Sequence, residues 1–148
     1  MKSFEQLKLN KPQLKALDDL QISTPTPIQE RAIPGVLSGQ DIVGLAQTGT
    51  GKTLAYLLPI LKSLPFSDQK HPRILIVVPT RELVEQVVGV AETLATYQNV
   101  RIAGVYGDSN INRQKERIHE GLDIVIATPG RLFDLAASGV LRLSSIQK

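Results

Sequence analysis

The chain has 148 residues, 42% of them hydrophobic, which is enough to bury the core of one domain. It has no cysteine and two histidines, which excludes disulfides, thiol chemistry and a Cys or His metal cluster. No apolar run approaches the ~20 residues of a membrane-spanning helix, and Lys2, Glu5 and Lys8 interrupt any secretory leader, so a cytoplasmic protein is expected. With 17 basic against 14 acidic residues, a nucleic-acid partner is permitted but not required.

Phe4 is an isolated aromatic in a polar opening. Residues 11–20 read as a short helix, with Asn10 as cap, Pro12 in the first turn and Leu14, Leu17 and Leu20 as an apolar stripe. Ser23-Thr24-Pro25-Thr26-Pro27 is rigid and extended. A second helix is predicted from Pro27 towards Leu37, facing inward with Ile28, Ala32, Ile33, Val36 and Leu37, and kinked or stopped by Pro34.

An apolar run at 42–46 reads as a strand, and a helix-compatible run at 54–61 lies beyond it. Between them stands Ala46-Gln47-Thr48-Gly49-Thr50-Gly51-Lys52-Thr53. Strand, glycine-rich turn and helix start, in that order, are what a phosphate cradle requires. Glycines let backbone N–H groups turn inward, and the helix N-terminus adds partial positive charge. Lys52 is placed to reach terminal phosphates, and the Thr53 hydroxyl to enter a magnesium shell. Ala46 replaces the first glycine of the usual pattern. A simple glycine-rich turn is the alternative, and the Gly-Lys-Thr ending in this context argues against it.

Further on, residues 65–73 are polar and turn-rich. Ile74-Leu75-Ile76-Val77-Val78 has the composition of a strand buried on both faces. Helices are predicted at 82–96, 110–120 and 130–138, the middle one capped by Asp108 or Ser109, and strands at 100–106 and 123–127. Alternating strands and helices predict an α/β fold, a parallel sheet with helices on both faces. Ligands of such sheets sit at the carboxyl ends of strands. Three of those ends carry polar loops: Pro79-Thr80-Arg81-Glu82, Tyr106-Gly107-Asp108-Ser109 and Thr128-Pro129-Gly130-Arg131.

In order and spacing, these segments resemble the first RecA-like domain of the DEAD-box ATP-dependent RNA helicases, over nearly the whole chain. The loop from Ala46 to Thr53 resembles the family's first motif, which tolerates an opening alanine. Pro79-Thr80-Arg81-Glu82-Leu83 with Gln86, Gly107 with Gln114, and Thr128-Pro129-Gly130-Arg131 resemble three more. Pro25-Thr26-Pro27-Ile28-Gln29 resembles the Q motif. An amide matches adenine N6 and N7 in pairs, so Gln29 is the expected adenine reader, favouring ATP over GTP. Phe4 is either a member of that motif or a core anchor for the N-terminal arm. Where the family usually has glycine and an aromatic, this chain has Gln21 and Ile22, and Ile22 offers apolar cover without stacking.

The resemblance implies an incomplete RecA-like P-loop sheet (33–148) behind an N-terminal helical Q-motif arm (1–32). It implies ATP and Mg2+ as ligands, with Lys52 and Thr53 as the catalytic pair. RNA would be held through its backbone, without sequence preference, by Pro79, Thr80, Arg81, Glu82, Gly107, Gln114, Thr128, Pro129, Gly130 and Arg131. A lone arginine is commonly a solvated charge, but Arg81 and Arg131 sit at strand ends beside threonine or glycine, which favours phosphate. Asp108 stands where the family commonly has a second glycine. The Asp-Glu-Ala-Asp motif, the Ser-Ala-Thr motif and the second RecA-like domain are not among these 148 residues. Two sheet strands would then be missing beside 42–46, leaving unpaired backbone there and a chain prone to instability or strand borrowing. Two alternatives remain open: a different P-loop NTPase, and a non-hydrolysing nucleotide or RNA binding module.

Overall fold

A computed structural model describes residues 2–148. They divide into two compact units, one comprising residues up to Pro65 with Thr93–Gln98, the other Phe66–Glu92 with Asn99–Lys148.

The first unit is helical. Helix α1 (Lys11–Asp19) starts where the sequence predicts. Asn10 Oδ1 accepts from the Gln13 N–H at 3.2 Å, and Gln13 Oε1 accepts from the Asn10 N–H at 3.1 Å. Of the expected stripe Leu17 is buried, Leu14 is half-buried and Leu20 is 40% exposed, and Gln13 and Ala16 complete the inward face. Gln13 Nε2 donates to the Leu58 carbonyl at 2.6 Å, which satisfies a polar side chain on the inward face. Helix α2 (Pro27–Leu37) runs through Pro34, so the expected kink or stop does not end it. Ala32 and Ile33 are buried, while Ile28, Val36 and Leu37 are half-buried. Helix α3 (Lys52–Lys62) packs along α2 and supplies Leu57, Leu58 and Leu61 to the core, where Phe4 and Leu17 also lie.

The expected strand at 42–46 is absent. Val43 and Leu45 are 89% and 90% exposed, and the segment has no regular structure. Strand composition alone does not make a strand, because the conformation needs a ladder partner for its backbone.

The second unit holds three parallel strands, β1 (Ile74–Val77), β2 (Ile102–Val105) and β3 (Ile124–Ala127), in the order β1-β3-β2. Val77, Ala127 and Val105 share one register row, so all three strands end on one edge. Central β3 is fully buried. β1 is not buried on both faces, because it borders the sheet: Ile74 and Ile76 are buried, Leu75 is half-buried and Val77 is 49% exposed. Along its free side the Leu75 N–H donates to the Lys148 carbonyl at 3.0 Å, and the Gln147 N–H to the Arg73 carbonyl at 2.7 Å.

Helices cover both faces. Ala103, Val105, Val125 and Ala127 pack against Ile118 of α5 (Ile111–Glu120) and Leu135 of α6 (Pro129–Ala137). Gly104, pointing the other way, lies under α4 (Arg81–Leu94), where an added Cβ would come 2.6 Å from Val84 and 3.0 Å from Val88. Asn110 caps α5 through the Asn112 N–H, in place of the expected Asp108 or Ser109.

At the opposite, amino-terminal end of the strands, Asp123 is 1% exposed. Its carboxylate accepts from Arg73 at 2.9 Å, from the Arg101 backbone N–H at 2.8 Å and from the Arg101 guanidinium and Gln69 amide at 3.1–3.2 Å. One carboxylate thus ties the starts of all three strands. Burial alone would raise its pKa, but the hydrogen bonds from Arg101, Arg73 and Gln69 together hold it below the ordinary carboxylate value.

Candidate nucleotide cradle and nucleic-acid edge

The cradle belongs to the first unit. Gly51, with φ +83°, caps α3, so Lys52 and Thr53 open the helix and its free N–H groups face the loop. Gly49 has φ +80°, and a Cβ added there would meet nothing within 4 Å. That open backbone at a helix N-terminus suits a phosphate. Gln47, Thr48 and Gly49 are exposed, while Ala46 and Thr50 are half-buried. Lys52 Nζ donates to the Ala46 carbonyl at 2.7 Å, so the ammonium lies across its own loop. Burial pushes the neighbouring Tyr56 phenol up, against an opposing hydrogen bond with Thr53.

Gln29 is only 2% exposed, and both ends of its amide are engaged. Its Oε1 accepts from the Thr26 N–H at 2.9 Å, and its Nε2 donates to the Gly51 carbonyl at 3.1 Å. The amide therefore fastens the start of α2 to the cradle, and contact with adenine requires it to exchange these partners. The sequence could not show this link, which spans 22 positions. Phe4 is 3% exposed, in the position of a core anchor, and Ile22 is half-buried.

The second unit carries the three polar loops on one edge of the sheet. Thr80 caps α4, its Oγ1 accepting from the Leu83 N–H at 3.2 Å, and Pro79, Thr80, Arg81 and Glu82 are exposed. Arg81 lies 5.1 Å from the centre of the Tyr106 ring and 3.6 Å from Glu85, while Tyr106 donates its hydroxyl to Glu85 at 2.9 Å. That hydrogen bond raises the Tyr106 pKa. Gln114 is buried between two loops. Its Nε2 donates to the Tyr106 carbonyl at 3.0 Å and to Ser109 Oγ, and its Oε1 accepts from Arg131 at 3.0 Å. Thr128 caps α6, and its N–H donates to the Val105 carbonyl at 3.1 Å. A Cβ at Gly107 or Gly130 would meet nothing within 4 Å, so both backbones are open to close approach. The sequence marks the loop that begins at Tyr106, whereas Glu85 joins it only through the fold, 21 positions away.

A sequence model of the DEAD/DEAH box helicases matches residues 26–147. The chain belongs to this family. Among curated DEAD-box relatives, the ATP-dependent RNA helicase DeaD of Haemophilus influenzae is 42% identical over 98% of the chain and 24% of its own length. A probable ATP-dependent RNA helicase, ddx27, of Dictyostelium discoideum is 46% identical over 93% of the chain and 18% of its own length. The chain thus spans about a quarter or less of the relatives it matches. A crystal structure described as a hypothetical ATP-dependent RNA helicase from Sulfolobus tokodaii superposes with a TM-score of 0.85, at 37% identity, covering 94% of the chain and 40% of that structure's chain. The RecA-like α/β fold expected of a DEAD-box domain is therefore the fold observed.

Proposed function

We propose that this DEAD-box chain is the ATP- and RNA-binding portion of an ATP-dependent RNA helicase acting on RNA duplexes in the cytoplasm. The observation that carries the reading is the shared edge of β1, β3 and β2. Their parallel ends bring Thr80 and Arg81, Gly107, and Gly130 and Arg131 to one side of the sheet. Hydroxyl, guanidinium and open backbone N–H groups suit phosphate oxygens, so contacts run along the sugar–phosphate backbone and carry no sequence preference. Thr128, Pro129 and the α6 start present Gly130, while Pro79 and Glu82 frame Arg81.

The cradle fits the phosphates of ATP: open backbone at Gly49, the α3 N-terminus, and Lys52 exposed beside Ala46. Bound ATP with Mg2+ supplies the phosphoanhydride whose cleavage drives remodelling. Lys52 would leave the Ala46 carbonyl for the terminal phosphates, and Thr53 would offer its hydroxyl to the metal. Gln47, Thr48 and Thr50 shape the loop, and the base would meet Ile22 and Gln29, the latter after exchanging its Thr26 and Gly51 partners. Among the described residues no group of three His, Asp or Glu side chains could hold a metal, and the sequence contains no Asp-Glu-Ala-Asp run. Within these residues we therefore assign binding, and expect turnover from a chain that also carries those carboxylates and a second RecA-like domain.

The test is ATP turnover with and without RNA, measured in a longer chain that also carries the acidic motif and the second RecA-like domain, with Lys52 intact and as Lys52→Ala. RNA-stimulated turnover abolished by the substitution is the expected result. RNA-independent turnover would indicate another P-loop NTPase, and binding of both ligands without turnover a binding module.

A further inference from the structure

Two grooves of opposite charge flank the edge strand β2. On the α4 side a cavity of about 270 Å³ is lined by Glu85 and Glu92 among apolar residues. On the α5 side a cavity of about 340 Å³ is lined by Arg113, Arg117, Ser109 and Asn110. Gly104 and Tyr106 line both, so the Tyr106 ring stands between them. That ring is fixed by Arg81 against it and by the hydroxyl bond to Glu85 at 2.9 Å.

Arg113 and Arg117 are four positions apart and share one face of α5. Arg113 is exposed and makes no hydrogen bond or ion pair among the described residues. Arg117 touches Glu120 at 3.3 Å, an exposed pair that holds it weakly and leaves most of its donors free. Of the two cations, only Arg117 has an ion-pair partner among the described residues, and that pair is exposed.

We infer that the α5 groove is a subsite for a backbone phosphate of an RNA strand that has passed over the Tyr106–Ser109 loop. This rests on the RNA reading and extends it to a contact beyond the three strand-end loops. The groove begins at Ser109, so a strand leaving that loop meets it directly.

The test is fluorescence anisotropy with end-labelled oligouridine of about 6 and about 16 nucleotides, across a salt series. Arg113→Gln/Arg117→Gln should weaken the longer RNA about tenfold, lower its salt slope by about 0.7 per lost phosphate contact, and leave the shorter RNA unchanged. Lys115→Gln, on the same helix outside the groove, should change neither. Equal losses at both lengths, no loss at all, or an equal loss in Lys115→Gln would overturn the subsite and leave the RNA reading standing. A wild type that binds RNA of neither length would overturn both. Should the double variant fail to fold, exposed Arg113→Gln alone tests the same length dependence at half the change in salt slope.

Discussion

Gly49 and Gly51 form a controlled pair within one loop. Both are left-handed, with φ +80° and +83°, but a Cβ at Gly49 meets nothing within 4 Å, while one at Gly51 would overlap Gln29 Nε2 and lie 3.2 Å from Thr26 Oγ1. Alanine at Gly49 therefore bears only the left-handed backbone cost, about 1–2 kcal/mol, partly offset by roughly 0.5–1 kcal/mol from a stiffer unfolded chain. Alanine at Gly51 bears the same cost and must also expel the Gln29 amide from its 3.1 Å bond to the Gly51 carbonyl. Stranding a buried amide costs about 1–3 kcal/mol. Equilibrium urea unfolding should accordingly place Gly51→Ala about 1–3 kcal/mol below Gly49→Ala. In a Gln29→Ala background that gap should close, because the clash partner is gone. Equal midpoints for the two glycine variants, or a gap that survives Gln29→Ala, would refute the Gln29–Gly51 link as the constraint on the cradle.

Asp123→Asn should cost about 3–5 kcal/mol, since it leaves Arg73 and Arg101 clustered without their counter-charge. The Asp123 carboxyl is held below its ordinary value, so its stabilisation is complete above the unfolded carboxylate pKa and is lost as pH falls through the folded one. Acid titration of the melting temperature should show that loss in the wild type and not in Asp123→Asn. Gly130→Ala, in the first turn of α6 with open space around it, should leave stability equal or about 0.5–1 kcal/mol higher while weakening RNA about tenfold. Unchanged RNA affinity would remove Gly130 from the interface. Gln21 and Asp108 both have φ +57°. Glycine at Gln21 should stabilise by about 0.5–1 kcal/mol and at Asp108 by less, because aspartate tolerates this backbone better, an order that thermal melts can check.

Where local chemistry decides, the sequence is a sufficient guide. Asn10 and Pro12 place the start of α1, because caps act within one turn. Glycine and lysine at 51 and 52 locate the cradle for the same reason. Where the partner is distant, the guide fails. Gln13 on the inward face of α1 is satisfied by the Leu58 carbonyl, 45 positions away. Gln29 has an amide suited to adenine, and the sequence does not show that the same amide also links to the Gly51 carbonyl, 22 positions away. Arg131 reads as a phosphate ligand at a strand end, and its tether to Gln114, 17 positions away, is visible only in the fold. Gln21 and Asp108, the two departures from family glycines, explain themselves only in coordinates, as left-handed residues where glycine would sit without strain.

The cradle is consequently held from one side. On the helix side, Gly51 is fixed by Gln29, and Lys52 and Thr53 by α3. On the other side, residues 42–46 have the side chains of a buried strand but no ladder, with Val43 and Leu45 almost fully in water. Burying each of those side chains would contribute about 1.5–3 kcal/mol, so a strand laid beside them would gain several kcal/mol before any backbone hydrogen bond is counted. That gain is comparable to the entropy of fixing a few backbone residues, about 1–2 kcal/mol each. Pairing of residues 42–46 and a rigid amino-terminal half of the phosphate loop are therefore one event. On the proposed reading, the strength of nucleotide binding through Lys52 would follow from whether that event has occurred.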